Sequence, residues 1–331
     1  MKVLKRLLEA NSPKISDRNK FADYIELLCI VSENKSISAD DIFDRINDEA
    51  LGELVEEIDE GGYFETGKAA IEDKRKGLIR EVFVSVISTR FAQLKQYYPF
   101  KYNNKHHSIE VKNQLFDENY FYLALLLSSN LRFIGNPYSS QLPKIFEEIS
   151  LEFFKKFLPK HSESYIFGTG SSKNKLSKGN FYERLNSLSK ELNLIISSKV
   201  NPNIEIKNKS GERGLDLVGW VKLNDKAPGT LMLFAQCACG EQWEDKQLES
   251  HAISWTNYID FFNKPSNILF FPHNFRNPEG LWENNAVIRD TILIDRKRFL
   301  ELHSSKMNKS IIEKYKSIVD DVLSEKVSNF D

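Results

Sequence analysis

A carboxylate inside an apolar strand needs a reason, and Asp216 sits in one. Residues 215–221 read Leu-Asp-Leu-Val-Gly-Trp-Val and residues 231–235 read Leu-Met-Leu-Phe-Ala, with Pro228 and Gly229 in the polar stretch between them. Short runs rich in Val, Leu, Phe and Trp, bounded by turn residues, predict two strands joined by a loop. Gln236 closes the second run, directly before Cys237, Ala238 and Cys239. Burying a carboxylate is costly unless a cation or hydrogen bonds compensate. Asp216 is therefore either a capped strand end or part of a cation site, and the residues alone leave both open.

Other groups with the right chemistry have the wrong spacing. Cys237 and Cys239 form a C-x-C pair with no second pair or neighbouring histidine, a poor zinc site. Cys29, in the run Ile25-Glu26-Leu27-Leu28-Cys29, is expected in the core. Three cysteines in 331 residues do not make a disulfide framework and fit a reducing compartment. His106 and His107 are adjacent, so their rings diverge, and no third ligand accompanies them. Residues 168–173, Gly-Thr-Gly-Ser-Ser-Lys, lack the G-x-x-x-x-G-K-[ST] spacing of a phosphate loop and a convincing strand before them. They read better as part of a flexible basic linker, able to track a phosphate backbone.

The elements that must position Asp216 and Gln236 follow from periodicity. Residues 1–160 predict a mostly helical domain. Its helices are expected at 2–10, from Asp17 through Val31, from about 38 to 46, 68–97, 116–129 and 141–158, with a small hairpin at 99–111. The acidic segment 40–60 and the cluster Lys74-Arg75-Lys76 read as solvated helical faces. Residues 161–178, dense in Ser, Gly and Lys, read as a linker. Residues 179–331 alternate helices and strands: a helix at 181–194, strands at 204–207, 215–221 and 231–235, a helix at 243–262, strands at 268–271 and 291–294, and two closing helices. That pattern gives an α/β domain with a central sheet flanked by helices.

With those elements in place, a resemblance emerges. Gly211-Glu212-Arg213-Gly214-Leu215-Asp216 resembles the Gly-Asp-x-Gly-hydrophobic-Asp segment of Mrr-type restriction endonucleases, in the PD-(D/E)xK nuclease superfamily, with Glu in place of the first Asp. Gln236-Cys237-Ala238 matches the first position of the Gln-x-Lys of the next strand and departs from it at Ala238, where the family has lysine. Residues 179–185, Gly-Asn-Phe-Tyr-Glu-Arg-Leu, resemble the helix that opens the domain and supplies a further Glu, here Glu183. Residues 291–295 with Phe299-Leu300 resemble the last strand and the helix after it. The resemblance spans residues 175–303.

It implies a restriction-endonuclease-like fold with a mixed sheet in the C-terminal domain, and a Mg²⁺-dependent endonuclease acting on DNA, with Mn²⁺ as the other candidate ion. A role in defence against foreign DNA follows, alone or with other proteins of a defence system. Glu183, Asp216, Gln236 and the Cys237 carbonyl would hold the metal, and Glu212 would add negative charge. Lys246, near the start of the following helix, is the residue able to reach back and replace the missing lysine. The rival expectation is a catalytically silent relative that binds DNA or a partner protein through the same fold.

Composition bounds these readings. Hydrophobic residues at 41% and charged residues at 28% are those of a soluble globular chain. A net charge of −1 excludes a polycation that coats nucleic acid, so any DNA site must be a local patch. No stretch reaches the roughly 18 uncharged apolar residues of a membrane span, and the N-terminus lacks the uninterrupted apolar core of a secretory signal. The expected location is the cytoplasm.

Overall fold

The computed structural model describes residues 3–4, 6–7, 12–45, 68–168, 174–207, 213–302 and 307–326. Helix α1 (Arg18–Val31) is apolar on nearly every side, and 12 of its 14 residues are buried, which makes it the centre of its unit. Around it come β1 (Ser36–Ser38), α2 (Ala39–Arg45) and α3 (Lys68–Val82). Helix α3 runs on through a π turn (Phe83–Ile87) into α4 (Ser88–Leu94). The hairpin expected at 99–111 forms as β2 (Phe100–Asn103) and β3 (Ser108–Val111), and β1 adds to β3 to give a three-stranded antiparallel sheet. Helix α5 (Asp117–Ser128) follows. This first unit takes in Met1–Ser139, His273–Glu283 and Glu313–Asp331.

The second unit, Ser140–Pro272 with Asn284–Ile312, is mixed α/β. Its order is α6 (Tyr138–Phe154), β4 (Ser162–Ile166), α7 (Phe181–Leu192), β5 (Ile195–Ile196), α8 (Pro202–Lys207), β6 (Leu217–Val221), β7 (Met232–Cys237), α9 (Trp243–Lys246), α10 (Ala252–Trp255), β8 (Ile259–Asp260), β9 (Ser266–Phe270), β10 (Ile292–Ile294) and α11 (Arg296–Leu302). Helix α12 (Lys309–Ser324) closes the described chain. The main sheet has the order β10-β9-β7-β6-β4. Strands β4, β6 and β7 pair antiparallel, while β7, β9 and β10 run parallel.

Both faces of this sheet are covered, which is why Met232–Ala235 of β7 and Ile268–Phe270 of β9 are apolar without alternation. On one face Phe181, Leu185 and Leu188 of α7 and Trp255 of α10 pack with Val218, Trp220, Met232 and Phe234. On the other lies α6, with Phe154 against Phe270 at 6.3 Å between ring centroids. Gly219 admits that helix: a Cβ there would stand 2.5 Å from Leu158 and 2.7 Å from Phe154. No helix among the described residues is long and apolar enough to cross a membrane.

Several expectations are corrected. The segment expected as a linker at 161–178 contains β4, and Leu176 within it is fully buried; residues 169–173 lie outside the described ones. Strand β4 is an edge strand of half-buried Ser, Glu and Tyr residues, so its composition imitates a linker. The boundary at 160 moves accordingly, because α6 groups with the sheet from Ser140 onward and 273–283 and 313–331 group with the N-terminal unit. The strand expected at 204–207 is helix α8, started by Pro202 with Asn201 Oδ1 accepting from Asn203 N–H at 3.1 Å. The single helix expected at 243–262 is two short helices, because His251 Nδ1 accepts from Ile253 N–H and starts the second one afresh. The helix expected at 2–10 falls mostly outside the described residues.

The edge strand carries a testable cluster. Glu163 accepts from Lys175 Nζ at 2.8 Å, Tyr165 Oη at 2.9 Å and Lys222 Nζ at 3.0 Å. Burial works to raise its pKa, and these three donors outweigh burial and hold it at about 2. A folded pKa below the unfolded value of 4.5 adds stability that is complete above 4.5 and lost as pH falls through about 2. Glu163→Gln is therefore expected to flatten the stability curve between those two pH values. Urea midpoints measured across that range check it, and an unchanged acid limb would count against the cluster.

Candidate functional site

The β6–β7 register pairs Leu217 with Ala235 and Val218 with Phe234. Continued by one residue it sets Asp216 opposite Gln236 on the same face. Asp216 N–H donates to the Ala235 carbonyl at 2.9 Å, and Phe167 N–H donates to the Asp216 carbonyl at 2.7 Å. The Asp216 side chain also secures the strand end, since Oδ2 accepts from Cys237 N–H at 2.6 Å. The same carboxylate borders a cavity of about 540 Å³. Its wall is made by Glu147 of α6, Asp216, residues 236–243 at the end of β7 and beyond it, and Lys246. Trp243 stiffens that wall by stacking on Phe271 with ring centroids 4.2 Å apart.

Gln236 is only 6% exposed. Its Nε2 donates to Glu249 Oε2 at 2.6 Å, while its Oε1 is buried with no hydrogen-bond partner. The other oxygen of Glu249 accepts from Lys246 Nζ at 2.8 Å. Gly214 makes room for this arrangement. Its φ is +72°, and a Cβ there would meet Glu249 Cβ at 2.2 Å and Oε2 at 2.7 Å. A clash with another Cβ is set by the backbone and no rotamer relieves it. Gly214→Ala is expected to destabilise the protein by about 1–3 kcal/mol, with the loss read as a lower urea midpoint at unchanged slope.

Of the residues expected at the site, Asp216, Gln236, Cys237 and Lys246 line the cavity. Glu183 is not part of its lining. It closes a capping box at the start of α7, with Oε2 accepting from Asn180 N–H at 2.9 Å and its own N–H donating to Asn180 Oδ1 at 3.0 Å. Glu212 lies outside the described residues. Two acids not singled out from sequence are present instead. Glu147 sits on the helix that leads into the sheet, and Glu249 holds Gln236 and Lys246. Glu249 had a legible signal, its i,i+3 spacing from Lys246 in a run with helical character. Glu147 had none beyond its place off the apolar stripe of a helix that looked like part of another domain.

The thiols contribute neither nucleophile nor ligand in their resting state. Burial, then the charges of Asp216 and Glu147, push Cys237 well above the usual thiol range, and burial with the same two carboxylates does so for Cys239. Both stay protonated, and a thiol is a poor nucleophile and metal ligand. Among the described residues no group of three or more His, Cys, Asp or Glu is arranged to hold a metal ion. The cavity is lined instead by the carboxylate residues Glu147 and Asp216 and by Gln236, whose amide oxygen is buried and unpaired. Oxygen donors with one or two carboxylates suit a hard divalent cation such as Mg²⁺.

A smaller cavity of about 160 Å³ lies in the first unit, beside Arg18, Asn19, Thr89, Arg90 and Gln93. Its charged walls are already engaged, Arg18 with Glu81 at 2.8 Å and Glu283 with Asn19 at 2.7 Å. Compared with protein families, curated proteins and solved structures, the chain matches none.

Proposed function

We propose that the second unit is a restriction-endonuclease-like domain of the PD-(D/E)xK type, and that the cavity at the ends of β6 and β7 cleaves DNA with Mg²⁺ or Mn²⁺ in defence against foreign DNA. The observation that carries this reading is the meeting of Asp216 and Gln236, on paired strands, with Glu147 and Lys246 at one cavity. The sheet supports it as well: β4, β6 and β7 pair antiparallel, with α7, β5 and α8 inserted between β4 and β6, and a crossover then leads to parallel β9. Glu147 on that helix takes the part that the family resemblance first gave to Glu183.

A divalent cation bound there would activate a water and offset charge on the scissile phosphate. Glu147, Asp216 and Gln236 are the side chains that would hold it, with the Cys237 carbonyl that the resemblance adds. Ala238, at the family's lysine position, has no charge or proton to offer. Lys246, on the cavity wall and paired with Glu249 at 2.8 Å, would supply both.

The experiment is incubation of the purified full chain with supercoiled plasmid. Nicking or linearisation is expected with Mg²⁺ or Mn²⁺ and none with EDTA. Intact plasmid and intact RNA under every condition would overturn the reading. Ala238 favours a second one, a catalytically silent module that binds DNA or a protein through the same fold, for which the plasmid would be retarded in a gel and left uncut.

A further inference from the structure

We propose that Glu249 is a positioning residue, which fixes the orientation of the Gln236 carboxamide in the cavity wall and tethers Lys246 beside it. The inference rests on the cation site proposed above and adds to it a residue outside the donor set.

A carboxylate donor needs little help, because its two oxygens are equivalent. A carboxamide has one oxygen, so a flip exchanges a ligand for an N–H donor that repels a cation. Glu249 removes that freedom. An ionised carboxylate only accepts hydrogen bonds, and its Oε2 lies 2.6 Å from the Gln236 amide nitrogen. The reverse orientation would set two acceptors at that distance. Gln236 is therefore held by its nitrogen, and the oxygen left over is the buried, unpartnered one. Unpaired buried oxygens are rare in folded proteins, and this one belongs to a residue of the cavity wall next to Asp216.

The other half of Glu249 is used too. Its Oε1 accepts from Lys246, so one carboxylate orients a neutral donor and anchors a cation on the same cavity. Its place depends on Gly214, two residues before Asp216, where no side chain could coexist with the Glu249 Cβ. The glycine of the Gly214-Leu215-Asp216 motif thus serves Gln236 on the next strand through Glu249.

The test is Mn²⁺ titration of the full chain, read by the spin-resonance signal of free Mn²⁺. Gln236→Ala and Glu249→Ala are each expected to weaken binding about 10–100-fold, the usual loss when the partner that orients a ligand is removed. The double variant should bind no more weakly than Gln236→Ala alone, because Glu249 acts through Gln236. Gln236→Glu alone sets two carboxylates against each other. Combined with Glu249→Gln it restores one donor and one acceptor in reversed places, and this exchange should bind Mn²⁺ at least as tightly as the wild type. Should Glu249→Ala not fold, the exchange variant decides by itself. Wild-type affinity in Glu249→Ala, a loss that adds fully to that of Gln236→Ala, or failure of the exchange would each overturn the positioning role and leave the cation site standing. No Mn²⁺ binding by the wild type would overturn the site and this role together.

Discussion

If the cavity cleaves DNA as proposed, Asp216→Asn is expected to abolish that cation-dependent cleavage while leaving the protein folded. The change keeps shape and one acceptor oxygen, so the bond from Cys237 N–H can persist with the amide oxygen in place of Oδ2. It removes the negative charge that, with Glu147, would hold the cation against the scissile phosphate. Loss of a preorganised electrostatic contact of this kind costs about 10²–10³-fold in turnover or more. A second readout separates chemistry from stability. A ligand that binds only the folded state stabilises it by mass action, about 2.7 kcal/mol at a hundred times its Kd. Mg²⁺ should therefore raise the melting temperature of the wild type and leave the variant nearly unmoved. In cation-free buffer the variant should be at least as stable, since one of two carboxylates on a shared cavity has lost its charge. Wild-type cleavage by Asp216→Asn would sink the assignment of this carboxylate.

The parts of the site legible from sequence were those written in one strand each. Asp216 and Gln236 betrayed themselves as polar residues ending apolar runs, and antiparallel pairing then set them opposite each other. What stayed hidden was whatever depended on tertiary grouping. Glu147 is an ordinary acid on an amphipathic helix until α6 is seen to group with the sheet. Glu183 looked suited to the site, but the Asn180-Phe181-Tyr182-Glu183 spacing is also a capping box, and local hydrogen bonding claims the side chain first. Edge strand β4 has the composition of a linker because an edge needs polar residues to stay unpaired. In the first unit α1, α3 and α5 form where periodicity predicts helices, and the hairpin forms at 100–111. The unit's buried ion cluster leaves only a faint trace in sequence: Glu26 interrupts an apolar run, and Arg90 falls on the stripe of Phe83, Ile87 and Leu94.

Arg90→Ala is expected to be the most destabilising single change in the first unit. Arg90 is 3% exposed, and its Nη1 donates to Asp23 Oδ1 at 2.7 Å and Glu26 Oε1 at 2.8 Å. Its Nη2 donates to the Asn19 carbonyl at 2.9 Å. Burial opposes its charge, and Glu26 and then Asp23 override that and hold the guanidinium charged. Glu26, fully buried, also accepts from the hydroxyls of Tyr98 at 2.9 Å and Tyr122 at 2.7 Å. Removing the arginine leaves two carboxylates without their cation inside the core. Breaking a buried ion pair on one side costs about 3–5 kcal/mol, a large share of the 5–15 kcal/mol that holds a typical protein folded. The loss comes from stranded charge more than from forfeited attraction, so it should be recoverable. Adding Asp23→Asn and Glu26→Gln to an Arg90→Met background is expected to return most of the stability, because no uncompensated charge then remains buried. Urea midpoints of the single and triple variants give the comparison. A loss below about 1 kcal/mol in Arg90→Ala, within the range of exposed pairs, would mean that the cluster is hydrated and contributes little to the fold.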